Sequence, residues 1–294
     1  MNLTRSISLF CAVIVSLFVW SCGSSSKEAN SDEFDQAQES LKDQIEEVVY
    51  SIPPPTEIPY LLEATGAEFN QALINDRSKA DQYATKNDKA ALNLGIYAAD
   101  IGYLSSYDKT QEAIDYLNAC KSLADGLGVI GTFDIEVLKS FEANISNKDS
   151  LASLLNQTVQ KTGTYLKDDS RNKLAALVVT GSFVEGLYIS TGVVKSYPKN
   201  ILPDDQRNLI LTPLIRVILK QSNSVDELLK MLSNTEQADP VTTIVKDLTA
   251  LQTSYKSLNI EEQIKNNRAD LVLTDKNLQE ITKIVEKLRE DIVK

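Results

Sequence analysis

Apolar residues recur every three or four positions along most of this chain, and that period is the tightest constraint on its fold. The clearest case lies near the C-terminus, where Leu278, Ile281, Val285, Leu288 and Ile292 form one stripe with charged residues opposite. A strand would alternate with a period of two; a period near 3.6 marks a helix that buries one face. The same reading predicts helices over 34–50, ended by Pro53-Pro54-Pro55, and over 57–74. It predicts a helix capped by Asp88 and running to 107, and another opened by an Asp108/Gln111 capping box and closed at Gly126. Further helices are expected over 133–143, 150–166, 170–195 and 209–219. Ser224 and Glu227 suggest a second capping box, for 225–232, followed by helices over 240–258 and from 274 onward. Only 269–273 reads as extended. About ten helices joined by short turns imply an all-α fold, an irregular multi-helix bundle or helical-hairpin array.

The N-terminus has its own logic. Arg5 precedes an apolar run over 7–20, broken only by Ser8 and Ser16, and Val19-Trp20-Ser21-Cys22-Gly23 follows. A run this short behind a positive start reads as a secretory signal, because a spanning helix needs about 20 apolar residues. A small residue directly before a cysteine resembles the lipobox of bacterial lipoproteins, and the bulky Trp20 is similar to the relaxed form found in Bacteroidota. That resemblance implies cleavage after residue 21, palmitate and related acyl chains on Cys22, and a place in the cell envelope at the outer membrane, with the membrane as partner through the lipid. Residues 23–33 contain no large apolar side chain, which suits a flexible tether. The expected organisation is a signal at 1–21, a lipidated tether at 22–33 and a single helical domain at 34–294.

Composition narrows the chemistry. The chain of 294 residues has no histidine, three cysteines and a net charge of −11. Without histidine, Ser-His-Asp hydrolysis and zinc sites of the His/Cys type are excluded. No metal and no cofactor are expected. The acidic balance argues against nucleic acid as a partner. The GxHxxE motif of imelysin-like helical envelope proteins has no counterpart here. The overall plan is similar to other helical envelope lipoproteins of Bacteroidota, a resemblance that implies no particular activity. Cys120 sits among Tyr116, Leu117 and Leu123, which reads as a buried structural thiol. Residues 126–131 spell GxGxxG, but a dinucleotide site needs a strand before it, and here a helix precedes it.

Residues 174–194 carry one charge, Glu185, between the basic flanks Arg171, Lys173 and Lys195. As a membrane span, this segment would place the acid mid-bilayer at a cost of about 2.5–3.5 kcal/mol. A central helix buried by its neighbours is the expectation. Gly95 with Gly102, and Gly181 with Gly192, recur on nearly one helical face and point to close helix packing. Asp100 and Glu185 stand in apolar helices, each three residues before a tyrosine, Tyr103 and Tyr188. A buried carboxylate needs a partner or a wet pocket, so these four residues form a candidate pocket. Ala90-Ala91-Leu92, Asp100 and Tyr103 match Ala175-Ala176-Leu177, Glu185 and Tyr188 at a constant offset of 85, suggesting pseudo-repeat halves near 57–148 and 149–258. Two functions remain open. One is a lipid-anchored binding or scaffold protein, whose partner is another envelope protein or a small ligand. The other is a hydrolase using Asp100 and Glu185, which requires the two carboxyls within about 10 Å in an open pocket.

Overall fold

The computed structural model describes residues 61–62, 65–128, 139–140, 143–144, 150, 153–154, 157, 172–198, 200, 202–259 and 275–294. Cys22, the expected signal and tether, Gly131, and the segments 34–50, 133–138 and 269–273 lie outside the described residues. Seven α-helices are bounded among those described, with no strand: α1 (Ala80–Tyr83), α2 (Asn87–Ser106), α3 (Thr110–Gly126), α4 (Asn172–Ser196), α5 (Asp204–Ser233), α6 (Val241–Ser257) and α7 (Asp275–Val293). Two 3-10 turns, Gln71–Leu73 and Arg77–Lys79, precede α1. The all-α class is as the periodicity requires.

α4 is the hub. It touches α2 on one side and α5 and α7 on the other; α5 packs on α6 and α6 on α7, so α4 to α7 close a four-membered ring. α2 packs along α4 and also touches α7, and α3 packs on α2. This position explains the composition of α4. A helix with neighbours all round must be apolar all round. It is the one described helix long and apolar enough to cross a membrane, and 83% of its most apolar window is buried inside the protein.

Two glycines set the α2–α4 contact. A Cβ on Gly95 would stand 2.1 Å from the Val178 carbonyl oxygen, and one on Gly181 would stand 2.0 Å from that of Leu92. Backbone meets backbone here, and any side chain would force the helices apart. Gly192 packs differently, against the Leu73 side chain in the first 3-10 turn rather than against a helix. Gly102 is buried in α2.

Several local expectations are corrected. Helix 57–74 does not run through. It is broken at Gly66, whose φ of +66° is left-handed, and chain 67–70 is irregular before Asn70 caps the first 3-10 turn through its side chain. Asp88 is not a cap: the N-cap of α2 is Lys86, and Asp88 instead pairs with Lys173 at 2.8 Å. Asp108 is not the N-cap of α3. Asp108 takes a left-handed φ of +56°, the N-cap of α3 is Lys109, and Gln111 turns to Asp115 along its own helix. At the other end of α3, of the two glycines that read as C-cap residues, Gly128 supplies the left-handed turn at φ +72°, as expected, while Gly126 is the last helical residue.

The largest correction concerns 204–233, expected as two pieces split at Ser224. It is one 30-residue helix, running through both Pro213 and Ser224. Proline deprives the carbonyl four residues back of its donor. That residue is Leu209, which is 75% exposed and so lies on the solvent side of α5. Ser224 is buried against the core instead of opening a helix.

Candidate functional site

Asp100 and Glu185 meet in the middle of the protein. Each leaves its helix on the face that packs against the other, and both are wholly buried. Gly95 faces 178–182 and Asp100 faces Glu185, so α2 and α4 run in the same direction. The spatial register is therefore the same offset of 85 that relates the two sequences.

The third member comes from α7. Arg289 donates from Nε to one Glu185 oxygen and from a terminal nitrogen to the other, both at 3.1 Å. This is the bidentate fork that matches a carboxylate in geometry as well as charge. The guanidinium also lies 4.6 Å from the centre of the Tyr188 ring, a cation–π contact on its open side. Asp100 receives less. Its Oδ2 accepts the Asn75 backbone N–H at 3.1 Å, and its Oδ1 accepts no hydrogen bond. The Asp100 and Glu185 carboxyls lie within hydrogen-bonding reach of each other.

Asn75 knits the centre together. Its side-chain amide donates towards Tyr83 Oη at 3.2 Å and Asn93 Oδ1 at 3.4 Å, and its carbonyl accepts from Tyr116 at 2.6 Å. Tyr83 and Asn93 then serve the end of α7. Tyr83 donates to the Val293 carbonyl at 3.0 Å, and Asn93 to that of Ile292 at 3.2 Å. The last carbonyls of a helix lack intrahelical donors, so these side chains cap α7.

Burial governs the titration of this cluster. It holds the Asp100 carboxyl well above the usual aspartate range, and the Glu185 charge adds to the effect. Burial also raises Glu185, but Arg289 opposes it from two sides. The proton therefore belongs on Asp100. Tyr83, Tyr97, Tyr116, Tyr188 and the Cys120 thiol are all raised by burial, and all are neutral at ordinary pH.

Of the four residues expected to line a pocket, three share this centre: Asp100, Glu185 and Tyr188. Tyr103 does not. It stacks on Phe69 at 5.3 Å and its hydroxyl accepts the Asn70 N–H at 3.0 Å, facing the 65–70 turn. Neither carboxyl lines the described cavity. The described cavity, of about 310 Å³, lies elsewhere, between α4 and α7. Val194 and Leu278 form its apolar part, with Thr191, Thr282, Gln279 and Lys283 around them. No group of three metal-ligating side chains occurs among the described residues. Arg289 escaped the sequence reading, although it carries a signal. It falls eleven residues after Leu278 and four after Val285, inside the apolar stripe of α7, where a charge needs a buried counter-ion. Asn75 and Asn93 carry no such mark.

Comparison with protein-family models, with characterised proteins and with solved structures finds no match for this chain.

Proposed function

We propose that the protein is a lipid-anchored binding or scaffold protein of the cell envelope, held at the outer membrane by acyl chains on Cys22. The observation that carries this reading is the Ser21-Cys22 step between an apolar run and a polar, glycine- and serine-rich stretch. Acylation at that step supplies the membrane attachment, which leaves the apolar helix α4 free to serve as core. The partner is another envelope protein or a small ligand. Binding rather than catalysis is supported by where the polar groups lie. The acids with the most perturbed environment are sealed, with Glu185 saturated by Arg289, and the carboxylate that lines the α4–α7 cavity, Glu286, is paired with Lys195. The meeting of Asp100 with Glu185 favours a carboxylate-dependent hydrolase as the second reading, but a substrate would have to displace Arg289 to reach them.

The test is metabolic labelling with an alkyne fatty acid in the native host. The natural chain should label and fractionate with membranes, and Cys22→Ala should do neither. An unlabelled natural chain, or a Cys22→Ala variant that still labels, would overturn the anchor. A photo-crosslinking residue at 279 or 283 should then capture a discrete partner from intact cells. If neither position captures more than an exposed control position such as 246, the α4–α7 face is not where the partner binds.

A further inference from the structure

We propose that Asp100 and Glu185 share a single proton, carried on Oδ1 of Asp100, and that this proton latches helix α7 into the bundle. The inference stands on geometry and does not depend on the anchor. Two carboxyl groups lie within reach of each other, both wholly buried, with one guanidinium to balance them. Two bare carboxylates cannot hydrogen-bond to each other, and the second negative charge would have no counter-ion. One proton resolves both problems. It makes the cluster neutral, and it turns Oδ1 of Asp100, which accepts nothing, into a donor towards Glu185. The other oxygen keeps the Asn75 N–H.

Among the described residues Arg289 is the cation that acts on the two carboxyls; Arg77 pairs with Asp115, and Lys79 turns to the Val293 carbonyl. From α1 comes Tyr83, from α2 Tyr97, from α3 Tyr116 and Cys120, and from α4 Tyr188. All are neutral acids, whose ionisation would add negative charge. Asp76, beside Asn75, is an exposed acid that hydrogen bonds from Ser78 keep ionised. Arg289 from α7 is the cluster's cation, and it is committed to Glu185.

The three helices are not equally free to respond when the proton leaves. α2 and α4 are locked by backbone contact at Gly95 and Gly181. α7 is held by side chains: Arg289 on Glu185, and the Tyr83 and Asn93 caps, which Asn75 joins to Asp100. Admitting water to an ionised Asp100 therefore moves α7. An opened Asp100 titrates in the ordinary range near pH 4, while the closed one keeps its proton to higher pH. Opening thus releases a proton, and its equilibrium constant rises about tenfold per pH unit from roughly pH 4 up to the closed-state titration.

The experiment uses the full chain in detergent. An infrared spectrum at pH 7 should contain the C=O band of a protonated carboxylic acid, and Asp100→Asn should lack it. Asparagine mimics the protonated acid, donating to Glu185 and accepting from Asn75. Hydrogen exchange read by mass spectrometry, corrected for intrinsic rates, should show α7 losing protection as pH rises from 6 to 9, while α6 does not. In Asp100→Asn the protection of α7 should be independent of pH. Absence of the acid band, equal loss in α6 and α7, or an unchanged pH response in Asp100→Asn would each overturn the latch. If that variant does not fold, the natural chain decides alone: the acid band and the protection of α7 must disappear together on titration.

Discussion

Two seams of this bundle bury similar side chains but are specified in opposite ways. The α5–α6 seam is mainly apolar: Leu211, Leu214, Ile215, Ile218, Val225 and Leu228 are buried on α5 and Ile244, Leu248 and Leu251 on α6, and the polar links described between them are Tyr255 on the Ile218 carbonyl at 2.8 Å and the part-buried Gln252 on Asp226 at 2.6 Å. The seam joining α2, α4 and α7 places a carboxyl pair, an arginine and two asparagines among residues just as buried. An apolar seam tolerates sliding, because one methyl group replaces another at little cost. A buried fork and a set of helix-end caps are satisfied in a single register. The polar seam therefore fixes where α7 ends and how it is rotated, while the apolar seam supplies adhesion. The first consequence is that damage to the two seams should differ in kind as well as in size.

The largest effect is expected from Arg289→Leu. It leaves Glu185 buried without its counter-ion, and breaking a buried pair from one side typically costs about 3–5 kcal/mol. Thermal unfolding by circular dichroism should show it, with α7 exchanging first. Replacing Arg289 together with Glu185 and Asp100 by apolar residues of similar volume should recover most of that loss. If the triple variant is no better than Arg289→Leu, the polar groups contribute adhesion as well as register. Next comes Leu248→Ala in the apolar seam, expected to cost about 2–5 kcal/mol through lost burial and the cavity left behind. Here exchange should rise throughout α5 and α6, with no change in the pH dependence of stability. A pH-dependent loss from this substitution would erase the distinction between the seams.

Gly181→Ala should rank third, near the upper end of the roughly 1–3 kcal/mol that overpacking costs, because its Cβ meets a backbone oxygen that cannot turn aside. Gly192→Ala should cost less, since it meets only the Leu73 side chain, which can change rotamer. Equal losses at the two positions would mean that the α2–α4 crossing is softer than the geometry indicates.

These residues also show how far the sequence could be read. The helical period, the apolar character of α4 and the importance of Asp100 and Glu185 follow from spacing, because each is a property of one helix. The partners are properties of pairs of helices. Nothing local says that Asn75 turns its backbone N–H to Asp100, or that α2 and α4 run parallel, although the offset of 85 already held their register. Cap signals misled for a related reason. Asp88, Asp108 and Ser224 have the chemistry of N-caps, but an ion pair with Lys173, a left-handed turn and burial in a continuous helix each gave the residue a different role. Pro213 marks the same limit, since a proline disfavours a helix interior without forbidding it, and the neighbouring helices that pack on α5 decide the outcome.

The finest comparison removes one hydroxyl from each seam. Tyr255→Phe takes a donor from the Ile218 carbonyl, but Ile218 lies inside α5, where the N–H four residues on still reaches that oxygen. The loss should stay near the bottom of the roughly 0.5–1.5 kcal/mol typical of one hydrogen bond. Tyr83→Phe takes a donor from the Val293 carbonyl, which is the last of α7 and so lacks an intrahelical donor. Its remaining donor is Lys79, at a long 3.5 Å. The same substitution also strips the Asn75 amide of its nearer side-chain partner. Both tyrosines are almost completely buried, so water replaces neither hydroxyl without opening the structure. Tyr83→Phe should therefore cost about 1–3 kcal/mol, the price of an unsatisfied buried acceptor, and should speed exchange at the end of α7. Tyr255→Phe should do so nowhere in particular. Equal losses measured by chemical denaturation, or a larger one for Tyr255→Phe, would mean that the caps on α7 are incidental and that its register is set by its apolar stripe alone.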